Sequence, residues 1–118
     1  MLDQLLAGQG FEPGDRISRR NECDAVKPGY GTAGIALDPA RGLAESQAEE
    51  PHSAPTEING RRALVGTFTG AGTCDVVLEV GEHARASAAV VLVDPAAYAQ
   101  ACPAARELAT ALEPLLPR

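Results

Sequence analysis

The sequence predicts an α+β fold: an antiparallel sheet of about five strands, with N-terminal and C-terminal helices packed on one face. Three observations carry this. From Thr73 to Val80 the residues alternate strictly, with Cys74, Val76, Leu78 and Val80 facing one way and Asp75, Val77 and Glu79 the other, the period of two that marks a strand with one buried face. Near the end, Tyr98, Ala101, Cys102, Ala105, Leu108, Ala109 and Leu112 fall on one stripe at helical spacing. At the start, Leu2, Leu5 and Leu6 recur at the same spacing before Gly8 and Gly10 end the segment.

Between these landmarks the elements follow in order. Phe11 is placed to plug into the core, and Pro13-Gly14 is a turn signal. A strand is predicted near Asn21–Lys27, then a turn at Pro28-Gly29-Tyr30-Gly31 and a second strand over Gly34–Leu37, so that the two form a hairpin. Asp38-Pro39 combines a capping residue with a proline suited to the first helical position, which predicts a short helix over Ala40–Glu45. Residues 46–57 are rich in Glu, Ala, Pro and Ser and have little to bury, so a mobile loop is expected there. Asn59-Gly60 turns the chain into a strand from Arg62 to Phe68, and Gly70-Ala71-Gly72 breaks it before the alternating strand. Gly81-Glu82-His83 turns again, and Ala86–Val93 returns as a central strand. Asp94-Pro95 is a second cap with proline. Pro103 lies inside the final apolar stripe, so the long helix is expected to start afresh there and run to about Glu113, with Pro114 and Pro117 stopping it. No repeat or boundary divides residues 1–118, which read as a single domain.

Composition narrows the function classes. A net charge of −6 argues against nucleic acid as a partner, because a phosphate-binding surface needs clustered Lys and Arg. The one basic cluster, Arg16, Arg19 and Arg20, is diluted by Asp15, Glu22 and Asp24 and reads as a solvated edge. Aromatic residues make up 3% of the chain, so the core has to be built from Leu, Val, Ile and Ala and would gain from a covalent staple. No apolar run is long enough to span a membrane. Met1 leads straight into Asp3-Gln4-Leu5 without a signal-peptide pattern, so the chain is either cytosolic or begins after a removed leader.

Cysteine usage bears on that choice. Cys23, Cys74 and Cys102 form no Cys-x-x-Cys pair and have no His at metal spacing, so no metal site is expected. Cys74 opens the alternating strand and Cys102 opens the helix expected to pack near it, so these two are expected to pair. Three reduced thiols acting as small buried hydrophobes are the alternative.

Three stretches together carry a resemblance: Asn59-Gly60-Arg61-Arg62-Ala63, then Cys74-Asp75-Val76-Val77-Leu78, then Ala101-Cys102-Pro103-Ala104-Ala105-Arg106-Glu107-Leu108-Ala109 with Leu115-Leu116-Pro117. They resemble the actinobacterial lipoprotein domain family of unknown function numbered 3558, and the resemblance spans nearly the whole chain. It implies a secreted protein held on the outer face of the membrane through a lipidated N-terminal cysteine. It also implies four cysteines in two bridges. Cys74 and Cys102 match the second pair, and Cys23 matches half of the first. The usual partner of Cys23 lies upstream of Leu2, where this chain departs from the pattern, leaving Cys23 unpaired or bonded between chains. The family brings no known reaction, so no catalytic residue is carried over.

Read residue by residue, the candidate sites are weak, and no catalytic, cofactor-binding or metal site is predicted. A nucleophile would need a neighbouring base, yet the two histidines, His52 and His83, fall in a loop and a turn where solvated side chains are the ordinary case. Thr69-Gly70-Ala71-Gly72-Thr73 looks like a phosphate cradle but precedes a strand and so lacks a helix N-terminus. Glu45, Glu49, Glu50 and Glu57 form a charge run without the spacing of a calcium loop. Asp75 and Glu79 share a strand face and could do acid–base work if their surroundings differ, but an exposed polar face is the plainer reading. Tyr30 sits on a turn tip as a possible contact residue. The leading expectation is therefore a non-catalytic binding or interaction module displayed on the cell envelope, whose partner is an unknown protein or small molecule. It would present the helix-free face of the sheet and the 46–57 loop. The alternatives are a small enzyme with a pocket between sheet and helices, and an accessory lipoprotein with no ligand.

Overall fold

Strict alternation on long strands and a single apolar helical stripe require a sheet with one greasy face and a helix to cover it. The computed structural model, which describes residues 2–17, 21–66 and 72–117, has this arrangement. In chain order the elements are α1 (Leu2–Leu5), β1 (Asp15–Ile17), β2 (Glu22–Lys27), β3 (Gly31–Asp38), α2 (Leu43–Glu49), β4 (Ala54–Ile58), β5 (Arg61–Gly66), β6 (Thr73–Gly81), β7 (Ala84–Leu92) and α3 (Ala101–Leu112). The described strands form one antiparallel sheet in the order β1-β2-β3-β7-β6-β5-β4.

On one face, Cys74, Val76 and Leu78 of β6 and Ala86, Ala88 and Val90 of β7 are buried with Ala101, Ala105, Leu108, Ala109 and Leu112 of α3. Leu2 and Leu6, at and just after α1, join the same core. A fully buried Leu such as Leu78 or Leu112 contributes about 2 kcal/mol of hydrophobic stabilisation. The many alanines let α3 lie close to the sheet, and Cys74 is bonded to Cys102 at a Cα–Cα distance of 5.0 Å. Cys23 is a free, half-buried thiol.

The sheet is the expected antiparallel one, widened among the described residues by two short strands, β1 of three residues and β4 of five. Three expectations need correcting. The stretch 46–57 is not a loop: it completes α2, turns, and becomes most of β4. Its Ser46 and Ser53 are buried, and Ser53 donates from Oγ to the Glu50 carbonyl at 2.8 Å. The helix predicted at Asp38-Pro39 begins later, at Leu43. The Asp38 carboxylate instead accepts from the Ala40 and Arg41 N–H groups at 2.9 and 3.2 Å, forming a turn, and the Gly42 N–H donates to Glu45 Oε2 at 3.0 Å. A Cβ on Gly42 would collide with the Glu82 carbonyl, so this junction needs glycine. Finally, α2 does not share the face of α1 and α3. Its Leu43 packs on Leu64 and Val77 of the opposite face.

The last helix starts at Ala101 and not at Pro103, after a 3-10 turn over Pro95–Gln100 whose first N–H groups include one bonded to Asp94. Pro103 thus falls in the first turn of α3, where its missing N–H has no helical partner to lose. The predicted strand end at Thr67–Phe68 lies outside the described residues.

Candidate functional site

One end of the sheet, where β2 and β7 begin and β3 and β6 finish, carries two adjoining concavities. The apolar one exists because the helices on that face do not cover all of it. α3 lies over β6 and β7, and α1 lies near β2, where Ala25 and Ala33 are buried. Further along the same strands, Cys23, Ile35 and Leu37 are left open. Together with Val80, Leu112 and Leu116 they line an apolar cleft of about 420 Å³. At its mouth Leu37 and Leu115 are 49% and 52% exposed, a large apolar surface for two neighbouring side chains to leave in water.

The far wall of the cleft is the segment that follows α3, and it is held by Arg61 at the start of β5. The Arg61 guanidinium donates to Glu113 Oε2 at 2.9 Å, to the Glu79 carbonyl at 2.7 Å and to the Pro117 carbonyl at 2.8 Å. Asn59, in the turn before β5, donates to Glu113 Oε1 at 3.2 Å and to the Thr110 carbonyl at 3.3 Å. Glu113 is buried, so its charge is tolerated because these donors surround it.

Over the strand ends the cleft passes into a polar basin of about 400 Å³ lined by Asn21, Glu22, Asp38, Arg41, Arg85 and Ser87. Asp38 is the hub. It binds Arg41 Nε at 3.0 Å and lies 3.7 Å from Arg85 Nη2. The Ala40 N–H, helped by both arginines, holds its carboxyl below the usual aspartate range. Glu49 of α2 binds the other ends of the same arginines, at 3.0 Å to Arg41 and 2.9 Å to Arg85.

Beneath α2, on the same face, Asp75 sits in a small hollow with Ser46, Glu50, Arg85 and Ser87. Burial, with the Glu22 and Glu50 carboxylates adding repulsion, pushes its carboxyl up to about 6. A carboxyl that titrates near neutral pH can give or take a proton under ordinary conditions. Asp24 extends this acidic face, its carboxylate lying over Gly34, where a Cβ would collide with it. A wider hollow of about 910 Å³ opens between α2 and β4–β5. Its apolar members Leu43 and Leu64 are already buried against Val77, leaving Glu57, Arg62, Glu79 and Glu82 as a charged rim.

The structure sorts the residues singled out in the sequence. Asp75 and Glu79 share a face but not a site, since Glu79 pairs with Arg62 at 3.4 Å. Glu45 accepts from or shares a proton with His83 Nδ1 at 2.9 Å, and that bond, with the Gly42 N–H, lowers the Glu45 carboxyl. His52 is exposed in the turn after α2. Tyr30 is no free tip: it packs edge-on against Phe11 at 6.0 Å, with Lys27 Nζ 5.0 Å from its ring centre. Thr69–Ala71, Arg19 and Arg20 lie outside the described residues, and so does the Arg16 side chain. Among the described residues no group of three or more His, Cys, Asp or Glu is placed to hold a metal ion. No described helix is long and apolar enough to cross a membrane.

The sequence allows a pocket between sheet and helices without placing it, and the cleft is such a pocket. Its one local signal is Leu115-Leu116, an apolar pair placed just past the proline that ends the helix. No protein-family model, curated protein or solved structure matches this chain.

Proposed function

We propose that the chain is a non-catalytic binding module of a secreted, membrane-anchored cell-envelope lipoprotein, and that the apolar cleft beside the end of α3 is where it binds. The observation that carries the reading is the cleft itself. Small-molecule sites are concave, mostly apolar and about 300–1,000 Å³ in volume, and this one has open hydrocarbon walls with polar groups gathered at one end. The Cys74–Cys102 bond is consistent with an extracytoplasmic location.

The test is titration with Nile red, an uncharged apolar dye. The expected result is saturable one-to-one binding, weakened about tenfold or more by Leu115→Glu, a change of roughly 1.4 kcal/mol or greater. Dye uptake that does not saturate, or that ignores this substitution, would remove the cleft from consideration.

A second reading, a small enzyme, draws on one observation: the proton-ready Asp75 beside Ser46 and Ser87. It predicts turnover of some ester or glycoside substrate that Asp75→Asn abolishes while folding is retained. A panel of chromogenic esters and glycosides showing no such turnover would dismiss it.

A further inference from the structure

The cleft and the basin are one continuous surface: Asn21, Glu22, Leu37, Asp38, Pro39 and Arg85 are among the residues that line both. We infer, building on the cleft reading above, that the ligand is a single-chain amphiphile with an uncharged, hydroxyl-rich head, its alkyl chain lying in the cleft and its head in the basin.

Each part of the ligand follows from a part of the surface. The cleft, at about 420 Å³, sits toward the small end of the range for ligand sites, roughly 300–1,000 Å³, so it fits one alkyl chain better than the two of a diacyl lipid. Its walls, from Ile35, Val80, Leu112 and Leu116, offer hydrocarbon for a chain to displace water from. The basin decides the head. Its two guanidiniums, Arg41 and Arg85, already bind Asp38 and Glu49. An anionic head would have to break those pairs and would then face Glu22, Asp38 and Glu49 together. A cationic head would face both arginines. Hydroxyl groups both donate and accept, so they match a surface that presents an amide (Asn21), a hydroxyl (Ser87) and the Asp38 carboxylate, whose charge the two arginines balance.

The experiment is displacement of Nile red by four ligands sharing one decyl chain, each kept below its micellar concentration: decyl glucoside, decyl sulfate, decyltrimethylammonium and decanol. The expected result is that the glucoside displaces the dye at a concentration about tenfold below any of the others, an advantage of roughly one factor of ten in Kd. Ser87→Ala and Asn21→Ala should erase that advantage and leave decanol unchanged. Leu115→Glu should weaken all four, whereas Val93→Glu, at an exposed position outside the cleft lining, should weaken none. Equal displacement by all four heads, or a glucoside preference that survives both basin substitutions, would overturn the head assignment while leaving the cleft as a binding site. A dye that never binds the cleft would overturn both readings together.

Discussion

On β6, Cys74, Val76 and Leu78 point under α3 with no measurable exposure, while Asp75, Val77 and Glu79 point the other way, beneath a helix of only seven residues. The first face is held by close apolar packing, by a covalent bond and by the Arg61–Glu113 anchor. The second is held by a three-residue apolar cluster and by ion pairs that join α2 to Arg85 of the sheet and to Arg41 in the segment before the helix. Strands that are identical in backbone thus carry two faces of very different strength. The weaker face gathers carboxylates, including one, Asp75, whose ionisation as pH rises costs stability. Groups poised to change state belong on a surface that can tolerate it.

The sharpest way to break the comparison is Arg61→Ala. It leaves Glu113 buried and charged without its main partner, a loss of about 3–5 kcal/mol by analogy with other broken buried pairs, measurable as a lower urea midpoint. Replacing Arg61 and Glu113 together with Met and Leu should recover much of that loss. If the single substitution costs no more than a surface pair, the tail of α3 is not anchored as described. Next, Cys74→Ala with Cys102→Ala should cost about 3–4 kcal/mol, the chain-entropy value for a bridge between residues 28 apart. An unchanged melting curve under oxidising conditions would mean that the bond contributes nothing to this face.

Asp75→Asn tests the other face, and its effect has the opposite sign. Because the folded-state pKa, about 6, lies above the ordinary aspartate value of 3.8, the folded protein holds this proton more tightly than the unfolded chain does. The contribution of Asp75 to stability is therefore greatest below the unfolded pKa and is lost as pH rises through the folded one. The substitution should stabilise the protein at pH 8 by about 1–2 kcal/mol, discounted for a half-buried group that solvent partly screens, and have little effect at pH 4. A pH-independent effect would contradict the burial argument. Smallest of all, Glu49→Gln removes two exposed ion pairs from α2 and should cost under about 1 kcal/mol, less still in high salt. Hydrogen exchange in α2 should register it even where global unfolding does not.

How far the sequence revealed this molecule depends on how local each signal is. β6 and α3 were legible because a strict period, of two or of 3.6 residues, leaves little choice of buried face. β4 was not. Ala54-Pro55-Thr56-Glu57-Ile58 is polar and contains a proline, which suits only an edge strand whose unpaired side faces water. The start of α2 was misread because Asp38 uses its carboxylate to close a turn before the helix begins. Of the candidate sites, Asp75 was visible as a residue but not as an unusual acid, since its burial comes from α2 and its repulsion from Glu22 three strands away. The place of the cleft was invisible for a related reason. Residues 23, 35, 80, 112 and 116 carry no shared pattern along the chain, and only the gap between α1 and the end of α3 brings them to one surface.

The strand order has a consequence for how the chain folds. β1, β2 and β3 form one meander, and β4 to β7 form another. They meet at a single seam, β3 against β7, where Gly31 pairs with Leu92 and Asp38 with Arg85. Each meander can zip from its own turns, but the seam closes a loop that contains all of α2 and β4–β6. Closing so long a loop is entropically late. Until β7 is in place, β3 presents a bare sheet edge, so the interval before the seam closes is when this protein is most open to pairing with the wrong strand.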